Sequence, residues 1–307
     1  MNPTFDAAGL TVLERGWLSS NSVLFDGRGR HESVLIDSGY WTHATQTVAL
    51  VKLILGESRL DRVVNTHLHS DHCGGNQALQ QSFDCAIDIP AGEAGKVDHW
   101  DEDALSYRAT GQHCPRFRRT GLIRCGSAIW LGERPWQVVA TPGHDPESVA
   151  LYQPELQVLI SADALWENGF GVVFPELDGE DGFGDVRRTL EQIGKLKAQW
   201  IIPGHGAPFQ GLDEAIDRAQ RRLDVFIREP QRHARHAAKV LIKFHLLEVQ
   251  RQRLAEFLIW FESTTCLKGT HAKYFESIPI REWCMALIQE LATVKVISIN
   301  GEIIHNF

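Results

Sequence analysis

The sequence has 307 residues, of which 43% are hydrophobic and 23% are charged, and its formal net charge is −8 at pH 7. These values are typical of a globular protein with one large domain, or with one large and one small domain. The negative charge argues against a protein that binds nucleic acid mainly by charge. The sequence contains no run of about 18 apolar residues, so it predicts no membrane-spanning segment.

The positions of the six cysteines favour a cytoplasmic protein. They are scattered and form no Cys-x-x-Cys pair, which is typical of reduced thiols rather than of a disulfide framework. Residues 1–17 lack the charged start and apolar core of a signal peptide, which favours the same compartment. We interpret Cys73, which follows a histidine-rich segment, as a small packing residue rather than as a metal ligand.

The first part of the chain alternates between strand and helix patterns. Short apolar runs predict strands, whereas an apolar stripe with helical spacing ends at Gly56. The predicted elements are strands at 23–25, 34–36, 61–66 and 87–90 and a helix over 45–55. Residues 91–130 mix charged residues, glycine and histidine, and they predict either an insertion that covers a functional site as a substrate lid or a solvated loop with a helix.

The segment Thr66-His67-Leu68-His69-Ser70-Asp71-His72 contains three histidines and one aspartate within six positions. Imidazole nitrogens and carboxylate oxygens are the ligands that Zn²⁺ and similar metals prefer. The segment follows a predicted strand, so we expect it on a loop where the side chains converge on one point. A solvated loop that happens to be rich in histidine is the alternative, and the close spacing argues against it.

Three further residues of the same type each follow a predicted strand. The strands at 136–140, 158–160 and 200–202 are followed by His144, Asp163 and His205 in that order. Four strand ends would therefore bring seven metal-ligating side chains to one edge of a sheet. Strands that alternate with helices around such an edge predict a layered α/β domain.

After residue 211 the pattern changes to helices that end in a β-hairpin. We therefore predict a catalytic domain over 1–211 and a C-terminal module over 212–307. The hairpin is predicted over 294–304, because Asn300-Gly301 favours a two-residue turn, and it indicates a winged-helix-like module. The predicted helices cover 185–198, with Asp185 as the cap, 213–228, 232–262 and 281–291.

The C-terminal module is richer in large apolar side chains than packing of one helix on a domain requires. These side chains could bury against the catalytic domain, close its pocket or form the contact surface of a homo-oligomer, and the sequence leaves all three open. They are Leu246, Leu247, Leu254, Phe257, Leu258, Trp260 and Phe261.

The histidine-rich segment, together with the three later residues, resembles the signature of the metallo-β-lactamase superfamily over residues 18–210. The resemblance implies an αββα sandwich that holds two divalent metal ions at one edge, with Zn²⁺ favoured and Fe or Mn as alternatives. It implies that His67, His69 and His144 bind the first ion, that Asp71, His72 and His205 bind the second, and that Asp163 bridges both.

The string Thr-His-x-His-x-Asp-His-x-Gly-Gly-Asn is similar to that of glyoxalase II-like hydrolases, whose substrates are thioesters, esters and lactones. The resemblance implies a dinuclear hydrolase that uses a metal-bound hydroxide, with Asp71 as a catalytic residue that orients the water or passes on a proton. Two alternatives within the superfamily are an RNA or phosphodiester nuclease and a mononuclear iron persulfide dioxygenase. The net charge argues against the first, and the complete second ligand set argues against the second.

Aromatic residues that follow the bridging aspartate predict a wall of the substrate pocket. We expect Trp166, Phe170 and Phe174 to bind an acyl or ring group of a small-molecule substrate. The alternative is that 172–174 is simply part of the core.

Overall fold

The computed structural model describes residues 2–307 and contains two β-sheets that lie face to face between layers of helices. The first sheet has six strands in chain order, and its last four strands run parallel. Its strands are β1 (Leu10–Leu13), β2 (Ser22–Phe25), β3 (Val34–Ile36), β4 (Arg62–Val64), β5 (Ala86–Pro90) and β6 (Gly121–Ile123). The helices of this half are α1 (Pro3–Ala8), α2 (Ala44–Leu55), α3 (Ser70–Cys73), α4 (Asn76–Phe83), α5 (Ala94–His99) and α6 (Tyr107–Thr110).

The second sheet has five strands in the order β11-β10-β9-β8-β7. Its strands are β7 (Ala128–Leu131), β8 (Arg134–Ala140), β9 (Val149–Gln153), β10 (Val158–Ala162) and β11 (Trp200–Pro203). The helices that follow its strands are α7 (Phe174–Asp178), α8 (Gly182–Gly194) and α9 (Leu212–Arg228). Because β8 and β10 are both antiparallel to β9, and β10 is parallel to β11, the carboxyl ends of β8, β10 and β11 lie at the same edge.

The strands are apolar on both faces because both faces are covered. In β2, Val23 and Phe25 contact the core between the sheets, whereas Leu24 contacts the helices on the outer face. This alternation follows from the two-residue period of a strand. The αββα sandwich that the resemblance implied is therefore confirmed.

The C-terminal part contains helices and a small antiparallel sheet of order β12-β14-β13. Its elements are α10 (Pro230–Val249), β12 (Arg251–Arg253), α11 (Leu254–Ser263), α12 (Thr265–Tyr274), α13 (Ile280–Thr293), β13 (Ile297–Asn300) and β14 (Ile303–Asn306). α9 packs in the core of the second sheet, while α10 to α13 share a core of their own. The division of the chain into domains at residue 211 stays a prediction.

Several local predictions need correction. Residues 91–130 are not one insertion, because β6 and β7 within them pair into the two sheets. The cap of α8 is Asp181 rather than Asp185, since the Asp181 side chain accepts a hydrogen bond from the Gly184 N–H. The hairpin turn consists of Gly301 and Glu302, because Asn300 already pairs with Ile303.

The long helix predicted over 232–262 is interrupted by β12, and the sequence patterns did not reveal β9 or α12. β9 is buried at all five residues, and such a short apolar run is hard to assign from periodicity alone. Within residues 2–307, no helix combines the length and the apolar character needed to cross a bilayer.

Candidate metal centre

The seven residues of the predicted ligand set meet at the edge where four strands end. His67 and His69 lie on the loop after β4, whereas Asp71 and His72 lie on the short helix α3, so the segment is only partly a loop. His144, Asp163 and His205 follow the carboxyl ends of β8, β10 and β11. We call these seven residues the ligand edge.

The first group of the ligand edge consists of His67, His69 and His144, with one potential ligand atom from each within 4.8 Å of the others. His69 Nδ1 lies 2.7 Å from His144 Nε2. The Nδ1–H of His144 can donate to the Val172 carbonyl at 2.6 Å, which leaves its Nε2 directed at the group. Holding one ring nitrogen in this way fixes both the tautomer and the orientation of a ligating imidazole.

The second group consists of Asp71, His72, Asp163 and His205, again within 4.8 Å. His205 Nε2 lies 3.1 Å from Asp71 Oδ2, and His72 Nε2 lies 3.5 Å from Asp163 Oδ1. The other oxygen of Asp163 lies 3.4 Å from His144 Nε2, so this carboxylate stands between the two groups. A carboxylate in that position has one oxygen available to each side.

The donor atoms fit a pair of cations. Within residues 2–307, His67 Nε2 and His72 Nε2 are buried and have no hydrogen-bond partner. Buried polar atoms are nearly always paired, and an imidazole nitrogen directed at other imidazoles and carboxylates is a typical metal ligand.

The protonation of most of these histidines suits metal binding, which requires neutral imidazole. Burial and the neighbouring histidines hold the pKa of His67 well below its usual value. Burial, with smaller effects of nearby charges, lowers the pKa values of His69 and His144 to about 4. His72 differs: burial lowers its pKa, but the carboxylates of Asp37 and Asp163 raise it well above its usual value, so metal binding there would displace a proton.

Asp37 is a residue of the candidate site that the sequence analysis missed. Its carboxylate accepts hydrogen bonds from the backbone N–H and the hydroxyl of Thr66, at 2.9 and 2.8 Å, and lies 2.8 Å from His72 Nδ1. This contact directs His72 Nε2 at the second group. Asp37 adopts a positive φ of 56°, a conformation that is uncommon in residues other than glycine but is enriched for aspartate and asparagine. The strand β3 that precedes Asp37 is the parallel neighbour of β4, so its position at a strand end was the available signal.

Two glycines allow close approach at the ligand edge. A Cβ on Gly171 would lie 2.4 Å from His144 Nδ1, and one on Gly204 would lie 2.1 Å from Asp163 Oδ1. Asn21 holds the loop of His205 by donating to the carbonyls of Pro203 and Gly206, at 3.0 and 2.7 Å. The ligand edge is therefore positioned by backbone and buried polar contacts.

Aromatic side chains surround the two groups. Trp166 donates its indole N–H to Asp163 Oδ1 at 3.2 Å, and Phe174 lies with its ring centre 5.4 Å from that of His69. Trp17, which the sequence analysis did not select, stacks on His205 at 5.3 Å. The expectation that Phe170 lines the substrate pocket is wrong: its ring is 2% exposed and packs among the core residues of the second sheet.

A cavity of about 1150 Å³ opens from the ligand edge toward the C-terminal module. Trp17, Trp166 and Phe174 line it on the side of the ligand edge, and Ser106, Thr110 and Gln112 reach it from the segment predicted as a lid. We define the module wall as the Val, Leu and Phe side chains of the C-terminal part that line this cavity. The module wall consists of Val240, Leu241, Phe244, Leu247, Leu291, Val294 and Val296.

The large apolar side chains of the C-terminal module divide between the cavity and the core of that module. Leu247 lines the cavity, so this residue helps to close the pocket. Leu246, Phe257 and Phe261 are instead buried in the core of α10 to α13. The contact surface of a homo-oligomer stays a prediction.

With this geometry in place, comparison with known proteins decides the family. The metallo-beta-lactamase superfamily matches residues 15–205 of the chain. The chain belongs to this superfamily. The match contains the whole ligand edge, and the resemblance noted from the sequence is confirmed.

Curated relatives are similar at moderate identity. The beta-lactamase-like protein 2 homolog of Caenorhabditis elegans is 24% identical over 68% of this chain and 62% of its own length. An acyl-coenzyme A thioesterase of Homo sapiens is 25% identical over 63% of this chain and 76% of its own length. A hydroxyacylglutathione hydrolase of Hyphomonas neptunium is 30% identical over 45% of this chain and 44% of its own length. The matched region is thus less than two thirds of some of these relatives.

The fold is shared over nearly the whole chain with a metallo-beta-lactamase family protein from Thermus thermophilus. That structure superposes with a TM-score of 0.58 at 19% identity and covers 97% of this chain and 99% of its own. The likeness therefore extends through the C-terminal module as well as the sandwich.

Proposed function

We propose that the protein is a metal-dependent hydrolase that holds two divalent ions, with Zn²⁺ favoured, and cleaves a carboxylic thioester, ester or lactone. The observation that carries the proposal is the meeting of two ligand groups, joined by Asp163, at one end of a cavity whose far side is apolar. Similarity to a thioesterase and to a hydroxyacylglutathione hydrolase supports the thioester among these substrates.

The ligand edge would divide between the ions as the two groups are arranged. His67, His69 and His144 would hold one ion, Asp71, His72 and His205 would hold the other, and Asp163, which lies between the groups, would take part in holding both. Divalent ions at such a site lower the pKa of a water molecule toward 7 and polarise the oxygen of the bond to be cleaved.

The remaining chemistry belongs to side chains of the chain itself. Burial raises the pKa of Asp71, but His72 and His205 lower it by more than burial raises it. The net pKa lies below the usual value, so the carboxylate is ionised at neutral pH. An ionised Asp71 at the ligand edge can accept a hydrogen bond from the attacking water and orient it, or take up its proton. The Trp166 N–H holds one oxygen of Asp163, and Trp166 is thus a positioning residue. Phe174 and the module wall would exclude water from the acyl group.

The test combines metal analysis with turnover. Protein reconstituted with Zn²⁺ is assayed for metal content and against a thioester, a lactone, a β-lactam and a phosphodiester. We expect two metal equivalents per chain and cleavage of the thioester, of the lactone or of both. Asp163→Ala should lose both metal and turnover, because it removes the carboxylate that lies between the groups. Asp217→Ala, at an exposed position within α9, is the matched control and should retain both.

Two results would overturn the proposal. Full turnover in Asp163→Ala would show that the ligand edge does not carry the reaction. A single iron per chain in the protein as purified, with no hydrolysis of any of the four substrates after reconstitution, would favour the mononuclear iron dioxygenase alternative instead.

A further inference from the structure

Arg222 on α9 carries a positive charge that no acidic side chain neutralises. Within residues 2–307, no carboxylate oxygen lies within 4.0 Å of its guanidinium, although most other partly buried arginines of the chain form such pairs. The side chain is largely buried, and burial is the sole cause that lowers its pKa. Burying an unpaired charge is costly, so a charge of this kind indicates a missing partner.

The contacts that Arg222 does make hold it in one orientation without neutralising it. Its Nη2 donates to His236 Nε2 at 2.7 Å, and Nη1 approaches the Asn168 carbonyl at 3.4 Å. The guanidinium also lies 5.7 Å from the ring centre of Phe170 and 5.3 Å from that of Phe226. Burial and the nearby cations, Arg222 first among them, lower the pKa of His236 to about 3, so His236 is a neutral acceptor.

Arg222 and His236 line the same cavity as the ligand edge. The other charged residues of this region are already engaged or exposed. Glu290 binds Arg235 and Lys239, Lys243 donates to the Val296 carbonyl at 2.8 Å, and the Glu167 side chain is exposed to solvent. Arg222 is therefore an oriented cation of the cavity lining that has no acidic partner among the described residues.

We infer that Arg222, oriented by His236, is a binding site for an oxyanion, a carboxylate or a phosphate, carried by the substrate. That the anion belongs to the substrate rests on the proposed function, whereas the anion site itself does not. A planar guanidinium with free N–H groups is suited to both anions, because it can donate two parallel hydrogen bonds to two oxygens. The substrate class is thereby narrowed to an anionic thioester, ester or lactone whose charged group lies toward the C-terminal module.

The first test measures binding without turnover. Inorganic phosphate is titrated calorimetrically into the metal-loaded protein, into Arg222→Met and into Arg221→Met, the exposed neighbour on the same helix. Phosphate that binds the metals would be common to all three. We expect Arg222→Met to bind phosphate about tenfold to a hundredfold more weakly than Arg221→Met, as expected for lost hydrogen bonds to a charged group. Identical isotherms, or no phosphate binding by the parent protein, would overturn the inference.

Arg222→Lys is a control for a folding defect in Arg222→Met, since Arg222 also packs on two aromatic rings. Lysine keeps the charge but lacks the planar fork, so we expect phosphate affinity between those of the parent and of Arg222→Met. Phosphate affinity of Arg222→Lys equal to that of a folded Arg222→Met would show that the charge has no part in binding.

The second test identifies the source of the anion. Three thioesters of matched length carry a carboxylate on the acyl part, a phosphate on the thiol part or no charge. Arg222→Met should raise KM about tenfold or more for at least one charged thioester, with kcat and the neutral thioester unchanged. KM values that stay unchanged for both charged thioesters would exclude a role in substrate binding. If the protein hydrolyses no thioester at all, the proposed function fails, while the phosphate titration still decides the anion site.

Discussion

The ligand edge and the module wall bound the same cavity but are built in different ways. At the ligand edge, His67 and His72 are fully buried, and their surroundings are fixed by hydrogen bonds that link strand ends distant in sequence. On the module wall, Val240 and Val294 are 36% and 67% exposed and present only apolar surface to the cavity. The difference indicates that the ligand edge is held in one arrangement, whereas the module wall can tolerate substitution.

Substitution of Asp37 tests the rigid side of this comparison and should have the largest effect. Asn keeps the size and tolerates the positive φ of this position, but it removes the charge and one acceptor next to His72. Because partners of this kind fix the tautomer of a ligating histidine, we expect Asp37→Asn to weaken metal affinity about tenfold to a hundredfold. Chelator competition measures the affinity, and KM at saturating metal should stay unchanged.

Asp84→Asn is the matched control for that experiment. Asp84 also adopts a positive φ, of 50°, but it is exposed at the end of α4 and away from the ligand edge. Equal metal affinity in both variants would show that Asp37 serves the backbone conformation rather than His72.

The sequence predicts the residues of the ligand edge far better than the residues that position them. The histidine-rich segment is local, and each later ligand follows an apolar strand within a few residues, so residue order is sufficient to find them. Asp37 contacts His72 from 35 positions away in the sequence, through the pairing of β3 with β4. No short segment of the sequence specifies which strands pair. The same strand-end reasoning, applied to 34–36, would have selected it.

The cavity lining was harder to predict for a different reason. Helical spacing shows which side of α9 or α10 is apolar, but not whether that side meets a core or a cavity. Phe170 and Trp166 are four positions apart after the same strand, yet one ring is buried in the core and the other lines the cavity. In α9, Phe226 is buried whereas the adjacent Ile227 is exposed, because tertiary contacts decide between adjacent apolar residues.

Substitution of Val240 tests the adaptable side of the comparison and should have a smaller effect. Val240→Asp places a charge beside the apolar cavity, so we expect KM for a long-chain acyl thioester to rise about tenfold, equivalent to losing contact with roughly two methylenes. Acetyl thioester kinetics and metal content should not change. Leu53→Asp, at a residue of α2 that is 79% exposed, is the control. A loss of metal from Val240→Asp would contradict the separation of the two regions.

The smallest expected effect is a pH dependence of stability that arises in the module rather than at the ligand edge. Burial first, and then Arg222, lower the pKa of His233 to about 4, while its Nε2 accepts the Val173 N–H at 3.1 Å. Above about pH 6.5 the imidazole is neutral in both folded and unfolded protein, so it adds no pH dependence. As the pH falls from there toward 4, the unfolded chain takes up a proton that the folded protein excludes, and stability decreases.

His233→Gln should therefore make the free energy of unfolding less dependent on pH, by at most about 1.4 kcal/mol per pH unit in that window. Glutamine keeps an acceptor for the Val173 N–H but does not titrate. Urea unfolding at pH values of about 7, 6 and 5, which run from above the usual histidine pKa toward the lowered one, measures the slopes. The exposed His99→Gln is the control. The metal ligands titrate in parent and variant alike, so the difference in slope isolates His233. Parallel slopes for parent and His233→Gln would mean that the buried imidazole is protonated in the folded protein. Burial and Arg222 would then not lower its pKa enough to keep it neutral.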